Sequence, residues 1–273
     1  RLFPNTPMVI TGTDQRRLRP EYLTQNTTVV SQNVNLPAII EDILQILPDT
    51  KNVVVVLGAS SHEKFWVAET RREFQQFADR VNFTWLDDLS FEEIRKRAAA
   101  LPPHSAIVFG MLVLDTAGVP YEHDQSLKSL HAVANAPIFG HFQSQFGLGI
   151  VGGRLYQDYE VGAKAARVAI RILRGEAASS IPPEFLATAA AVYDWRELHR
   201  WGISEARLPS ASVVQFRQPT FWQQYKWTII GLLALCVLEA VLIHVLLRER
   251  RRRRLAQQSL EERLRFEELV AEL

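Results

Sequence analysis

One cysteine among 273 residues, Cys236, leaves no pair for a disulfide, so the folded part must rely on its core. The 7 histidines show no ligand spacing, and His62-Glu63 lacks the second histidine of a zinc helix, so no metal site is expected. No Gly-x-Ser-x-Gly elbow occurs. Asp87-Asp88 before Ser90 reads as turn and helix-start chemistry rather than a working carboxylate pair. Gly147-Leu148-Gly149-Ile150-Val151-Gly152 matches a dinucleotide fingerprint only as letters. Its glycines should open a helix directly after a strand, whereas here Ile150-Val151 reads as strand and the helix follows about ten residues later. No catalytic residue is expected in this chain.

Proline is absent after Pro219, and Gly231 is the sole glycine beyond it, so turns end there. Between Trp227 and Leu247 there is no Lys, Arg, Asp, Asn, Gln or Pro. At about 1.5 Å per residue such a helix reaches the roughly 30 Å of a bilayer's hydrocarbon core. Arg248, Arg250, Arg251, Arg252, Arg253 and Arg254 follow at once, which sets that end in the cytoplasm. Trp222, Tyr225 and Trp227 stand at the other end, where amphipathic rings favour the headgroup layer. The expected topology is a bacterial inner-membrane protein with residues 1–226 periplasmic and 248–273 cytoplasmic. Glu239 and His244 lie inside the apolar stretch, His244 within reach of the headgroups and Glu239 deeper. With the 8 basic and 6 acidic tail residues and Glu239 set aside, 23 of each sign remain, so no nucleic-acid partner is expected. The chain starts at Arg1 without an export signal and stops in mid-helix, which suggests an excerpt of a longer protein.

Before the apolar run, strand and helix patterns alternate. Pro7–Ile10, Thr28–Val30, Asn52–Leu57, Phe83–Leu86, Ala106–Phe109 and Pro137–Phe139 read as strands, several continuous as in a sheet covered on both faces. Helical spacing runs through Leu36, Ile39, Ile40, Ile43 and Leu47 with Asn35 as N-cap. A second helix carries Trp66, Thr70, Phe74 and Phe77, a third opens with Ser90 and Glu93 as a capping box, and a fourth lies near Leu127–Ala134. The last runs from Val161 to Arg174 with Gly175 as its stop. Repeated units of this kind predict parallel sheets in an α/β fold.

Gly152-Gly153-Arg154-Leu155-Tyr156-Gln157-Asp158-Tyr159-Glu160-Val161-Gly162, then Ala163-Lys164-Ala165-Ala166, Ile172-Leu173-Arg174-Gly175-Glu176, Ile181-Pro182-Pro183 and Trp201-Gly202-Ile203 follow one another in order. That order resembles the closing section of substrate-binding proteins of ABC-type uptake systems, over about residues 1–210. Trp201 departs from the usual small or apolar residue before the final glycine. The resemblance implies a two-lobed, Rossmann-like periplasmic-binding-protein fold around a ligand cleft. Its first lobe is truncated to 1–34, its second lobe is 35–150, and 151–219 holds the return to the first lobe and a closing segment. Residues 220–247 are then the transmembrane helix and 248–273 a cytoplasmic helical tail. Together with the apolar run and the arginines, the chain resembles the input region of bacterial sensor histidine kinases. Leu264–Val270 looks like the lead into a PAS or GAF module, and Glu261–Arg265 and Arg263–Glu267 are i,i+4 pairs along that tail. This implies a small-molecule ligand, the lipid bilayer, a parallel homodimer, and a response regulator reached through a kinase region outside the chain. No cofactor is expected here; ATP belongs to that kinase region. A membrane-tethered binder feeding a transporter is the alternative, and a chemotaxis or cyclic-dinucleotide output is a third.

Ligand contacts follow from geography, since open α/β sheets bind outside the carboxyl ends of their strands. These ends hold Thr13 and Asp14, Ser60 and Ser61 with His62, Gly110-Met111, His141 and Phe142, and the Asp158-Tyr159 loop. The Ser60-Ser61 helix start suits an anionic group such as a carboxylate, and Phe142, Phe146 and Tyr159 suit an apolar or aromatic part.

Overall fold

A computed structural model describes the backbone of residues 6–218 and 221–271, and the side chains up to residue 252 except those of Pro20, His123, Phe221 and Gln223. Residues 1–217 form one compact unit and 218–273 another.

The first unit opens with β1 (Met8–Ile10) and β2 (Thr27–Gln32). α1 (Leu36–Ile46) starts where expected, Asn35 accepting a bond from the Ala38 amide at 3.3 Å. Its Leu36, Ile40, Ile43 and Ile46 are buried. β3 (Asn52–Val56) follows, then α2 (Ser61–Phe74), β4 (Asn82–Leu86), α3 (Phe91–Ala98), β5 (Ser105–Phe109), α4 (His123–His131) and β6 (Ile138–Phe139). Ser90 caps α3, while Glu93's carboxylate pairs with Arg97 at 3.1 Å one turn on, so half of the expected capping box gives way to an i,i+4 ion pair. β7 (Gly152–Gly153) precedes α5 (Asp158–Leu173), β8 (Glu184–Leu186), β9 (Val192–Asp194), α6 (Trp195–Arg200) and β10 (Val213–Gln215). α5 begins three residues before the apolar pattern does, because Asp158 and Glu160 suit the positive end of the helix. Gly175, at φ +99°, turns the chain away after the Arg174 C-cap.

Three sheets result. β1-β2-β8 is parallel throughout, as is β4-β3-β5-β6, and β9 pairs parallel with β10 and antiparallel with β7. Ile150 bridges Ile138, and Val151's amide donates to Ile138's carbonyl at 2.7 Å, carrying the β6 edge on into β7. In the second sheet Val53 to Val56 are buried, covered on one face by α1 and α2 and on the other by α3 and α4. That double cover explains why β3 reads as an unbroken apolar run. Ala191, Tyr193, Leu198 and Ile203, from β9 and α6, join the core on the α1 side. The first sheet has a smaller core, Val30, Ala165, Val168 and Ile181, covered by α5. The strands after residue 150 are two or three residues long, too short to give a periodic signal.

The second unit is α7 (Phe221–Ala271), 51 residues without a break. Gln224–Arg252 within it is long and apolar enough to cross a membrane, with mean hydropathy 2.7 and none of its apolar window buried. Trp222, Tyr225, Trp227, Arg248, Arg250 and Arg251 are all exposed on this helix. The expected Glu261–Arg265 and Arg263–Glu267 pairs involve side chains outside those described.

One buried charge strains the second sheet's cover. Asp42 on α1 is nearly inaccessible, 3.0 Å from Arg154 and close to fully buried Tyr193. Burial, only partly offset by Arg154, raises its pKa to about 6 from 3.8. The folded chain therefore binds this proton more tightly than the unfolded chain. The stability it contributes is complete below about pH 4 and lost as pH rises through 6. Asp42→Asn should raise the melting temperature at pH 8, by about 2 kcal/mol in stability. The gain should shrink towards pH 4 in thermal unfolding of the chain; a gain independent of pH would exclude Asp42 as its source.

Candidate functional site

Two fully buried polar side chains shape the carboxyl ends of the second sheet. Glu63, the N3 residue of α2, accepts from the Ser60 amide at 2.9 Å and from the Val113 amide at 2.6 Å. Ser60's hydroxyl accepts the Glu63 amide in return, completing a capping box. Gln145 accepts from the His141 and Phe142 amides at 3.0 and 3.1 Å and donates to the Gly110 carbonyl at 2.7 Å. A side chain on Gly58 would collide with Glu63, and one on Gly140 with Gln145, so those glycines are required by close approach. The turns after β3, β5 and β6 are thereby held in one frame.

On this frame the expected residues fall into two groups. Thr13's amide donates to Ser31 Oγ at 3.1 Å, Ser31 Oγ lies 3.4 Å from the Tyr156 hydroxyl, and Tyr156 stands edge-on to Phe142 with centroids 6.2 Å apart. His141 lies against Phe142, centroids 4.1 Å apart. Thr13, His141 and Phe142 thus form one continuous wall. Ser60 and exposed Ser61 stand at the start of α2 beside His62. Asp14 is buried and already engaged: both oxygens bond Arg16 at 2.8 Å, and its carboxylate also accepts from the Arg16 and Val34 amides. Burial would raise its pKa, but Arg16 and these amides hold it below the usual value. Tyr159 is 76% exposed in the first turn of α5, away from the ring contacts of that wall.

Several contributors were not expected from the sequence. Arg16, clamped by Asp14, lies over the Trp66 ring at 5.2 Å and 3.9 Å from Glu73. Arg17 lies over Phe65 at 5.2 Å and touches His62, whose ring also takes the Trp66 indole N–H at 3.3 Å. These contacts span from the β1 side to α2, and no local pattern announces them. Tyr156 takes the place that the aspartate–tyrosine pair suggested for Tyr159, since the helix starts at Asp158 and turns Tyr159 outward. Behind the wall is an apolar slot of about 20 Å³, room for one water, lined by Leu36, Ile39, Val55, Trp66, Phe74 and Met111 among others. Beside it an open cavity of about 540 Å³ is lined by Asp14, Arg16, Asn33, Glu73 and Thr188. Arg16, over Trp66 and on the wall of the larger cavity, links the two.

Residues 5–205 match the family described as ABC transporter substrate binding protein. The chain belongs to that family. Solved structures agree on the fold. A ligand-free, open substrate-binding protein with adhesive properties from Clostridium difficile superposes with TM-score 0.57 at 15% identity, covering 78% of this chain and 72% of its own. An ABC domain in complex with L-Trp from Streptococcus pneumonia gives 0.53 at 18%, and a conserved domain protein from Vibrio cholerae 0.52 at 19%; each covers 70% of this chain. The chain spans 63% of the length of these last two. No curated protein matches it in sequence. The periplasmic-binding-protein-like α/β fold expected from the motif order is therefore present. Substrate-binding domains of this family typically need no cofactor. Among the described residues, no group of three His, Cys, Asp or Glu is gathered to hold a metal.

Because buried Glu63 satisfies the Ser60 and Val113 amides, Glu63→Ala should cost about 2 kcal/mol of stability, with Glu63→Gln recovering part of it. Denaturant unfolding of the three proteins measures this; an alanine variant as stable as the parent would show that the frame does not depend on Glu63.

Proposed function

We propose that this chain is the ligand-sensing and membrane-spanning portion of a two-component sensor histidine kinase. The substrate-binding domain lies in the periplasm, α7 crosses the inner membrane, and residues 248–273 lie in the cytoplasm. The observation that carries this reading is α7, whose 51 residues run well past its apolar span and past the arginines. A tether for an uptake protein needs no charged helix beyond the membrane. A rod that continues inward suits a parallel homodimer that passes a change of lobe closure to a kinase region and its response regulator. The family name itself favours the other reading, a membrane-tethered binder feeding a transporter.

The ligand is amphipathic. Its apolar end lies against Trp66 at the mouth of the slot, which must widen beyond its present room for one water to admit it, and a carboxylate meets Ser60, Ser61, His62 and Arg17 at the start of α2, where the helix dipole favours anions. The neighbour solved with L-Trp holds a molecule of that chemical class. Thr13, His141 and Phe142 line the adjoining wall, Tyr159 contributes only on a larger closure, and Asp14 acts by holding Arg16.

Reporter fusions at Arg217 and at Leu260 should give opposite compartment signals; equal signals would end the membrane-spanning reading. A panel of amino acids, L-Trp included, should raise the melting temperature of the chain, since a bound ligand adds RT ln(1 + [L]/Kd) to stability. Ser61→Ala and Arg17→Ala should shrink that shift at least several-fold without lowering the ligand-free melting temperature. Full shifts in both variants would remove the α2 start from the site.

A further inference from the structure

α5 carries a second apolar stripe, on the side away from its sheet. Val161, Ala165 and Val168 are buried and Ile172 packs beside them against Val30 and Ile181. Tyr159, Ala163, Ala166, Ile170 and Leu173 recur at alternating steps of four and three residues. At about 100° per residue they lie nearly opposite the buried face, on the outermost side of the helix. Tyr159 is 76% exposed, Ile170 47% and Leu173 85%, Ala166 is exposed, and a side chain built on Gly162 would meet nothing. Single exposed apolar residues need no explanation, but three large ones in register on one helix face, with exposed Ala166 and half-buried Ala163 between them, form a seam.

We infer that this seam is an interface between two copies of the chain, in which the α5 helices pair antiparallel about a two-fold axis at Ala166. The inference rests on the membrane-anchored reading above. The residue order is self-complementary about that point: Tyr159 meets the partner's Leu173, small Ala163 meets the partner's Ile170, and Ala166 meets its own copy. Large side chains thus oppose small ones, as interdigitating helices require. Charge selects the direction. On one flank of the seam Glu160 stands at the start and Arg174 at the end, so antiparallel pairing brings Glu160 beside the partner's Arg174 twice and opposes the helix dipoles. Lys164 and Arg171 on that flank are already paired, with Glu184 and Glu176. The one like-charge approach is Arg167 with its copy near the axis. A contact of one 16-residue helix with its copy falls below the roughly 1,000 Å² of a stable free interface. It forms because α7 holds two copies in one membrane at high effective concentration. The symmetry agrees, since two parallel membrane helices are also related by a two-fold.

The test uses the full chain in native membranes, with Cys236→Ser as background. Ala166→Cys should cross-link to itself with a short bis-maleimide at least fivefold more than Ala78→Cys, an exposed control on the other lobe. Tyr159→Cys and Leu173→Cys should cross-link when the two variants are co-expressed and hardly at all when either is expressed alone. Ile170→Arg should abolish the Ala166→Cys product without changing the melting temperature. The pairing is wrong if Ala166→Cys behaves like Ala78→Cys, if Tyr159→Cys alone matches Ala166→Cys, or if the product has the mass of a different protein. Leu238→Cys in α7 separates the two layers of the argument. Cross-linking there without cross-linking at Ala166 overturns the α5 pairing alone, whereas absence at both sites overturns the dimeric receptor as well.

Discussion

A parallel sheet covered on both faces leaves its peptide groups short of partners where the strands end, and those groups cannot be buried unpaired. In this chain Glu63 and Gln145 supply the missing partners after β3, β5 and β6. Buried Gln32 does the same where the chain passes between lobes, accepting from the Gln157 amide at 2.8 Å and donating to the Ala187 carbonyl at 3.3 Å. The wall at Phe142, the start of α2 and the entry into α5 all depend on these three side chains. Each replaces water with a fixed acceptor or donor.

The site built on that frame is asymmetric. The sheet β4-β3-β5-β6 and its helices bring a deep core, an apolar slot and the positive end of a helix. The segment after β1 brings two arginines that reach over to Phe65, Trp66, His62 and Glu73. Cation–π and ion-pair contacts at partly exposed positions are worth about 1 kcal/mol or less each. Contacts of this size are readily exchanged for others. Asp14 makes this possible by fixing Arg16, so its contribution is to position the arginine.

Much of the frame was legible in the sequence because the signals are local. Asn35 before an apolar period marks α1, Val53 to Val56 marks a doubly covered strand, and the run to Leu247 followed by arginines marks the long apolar span of α7. The order of motifs from Gly152 to Ile203 announced the family that residues 5–205 match. The short strands from β7 to β10 could not be read, since two or three residues carry no period. Nothing in the sequence singled out Glu63 and Gln145 as buried, because a polar side chain gives no sign in sequence that it will be wrapped by backbone amides.

The sequence by itself determined where α1 and α3 start, that Val53 to Val56 are buried and the apolar length of α7, since each depends on residues adjacent along the chain, and the order of motifs from Gly152 to Ile203 announced the family. Tertiary structure alone decided which strand ends meet, that Arg16 and Arg17 cross to α2, that Tyr156 rather than Tyr159 joins the aromatic wall, and that α5 keeps an apolar seam outward. Those outcomes depend on crossovers between segments more than a hundred residues apart in some cases, such as Ser31 with Tyr156. No local propensity encodes such distances; they are fixed only when the sheets have paired and their cores have closed.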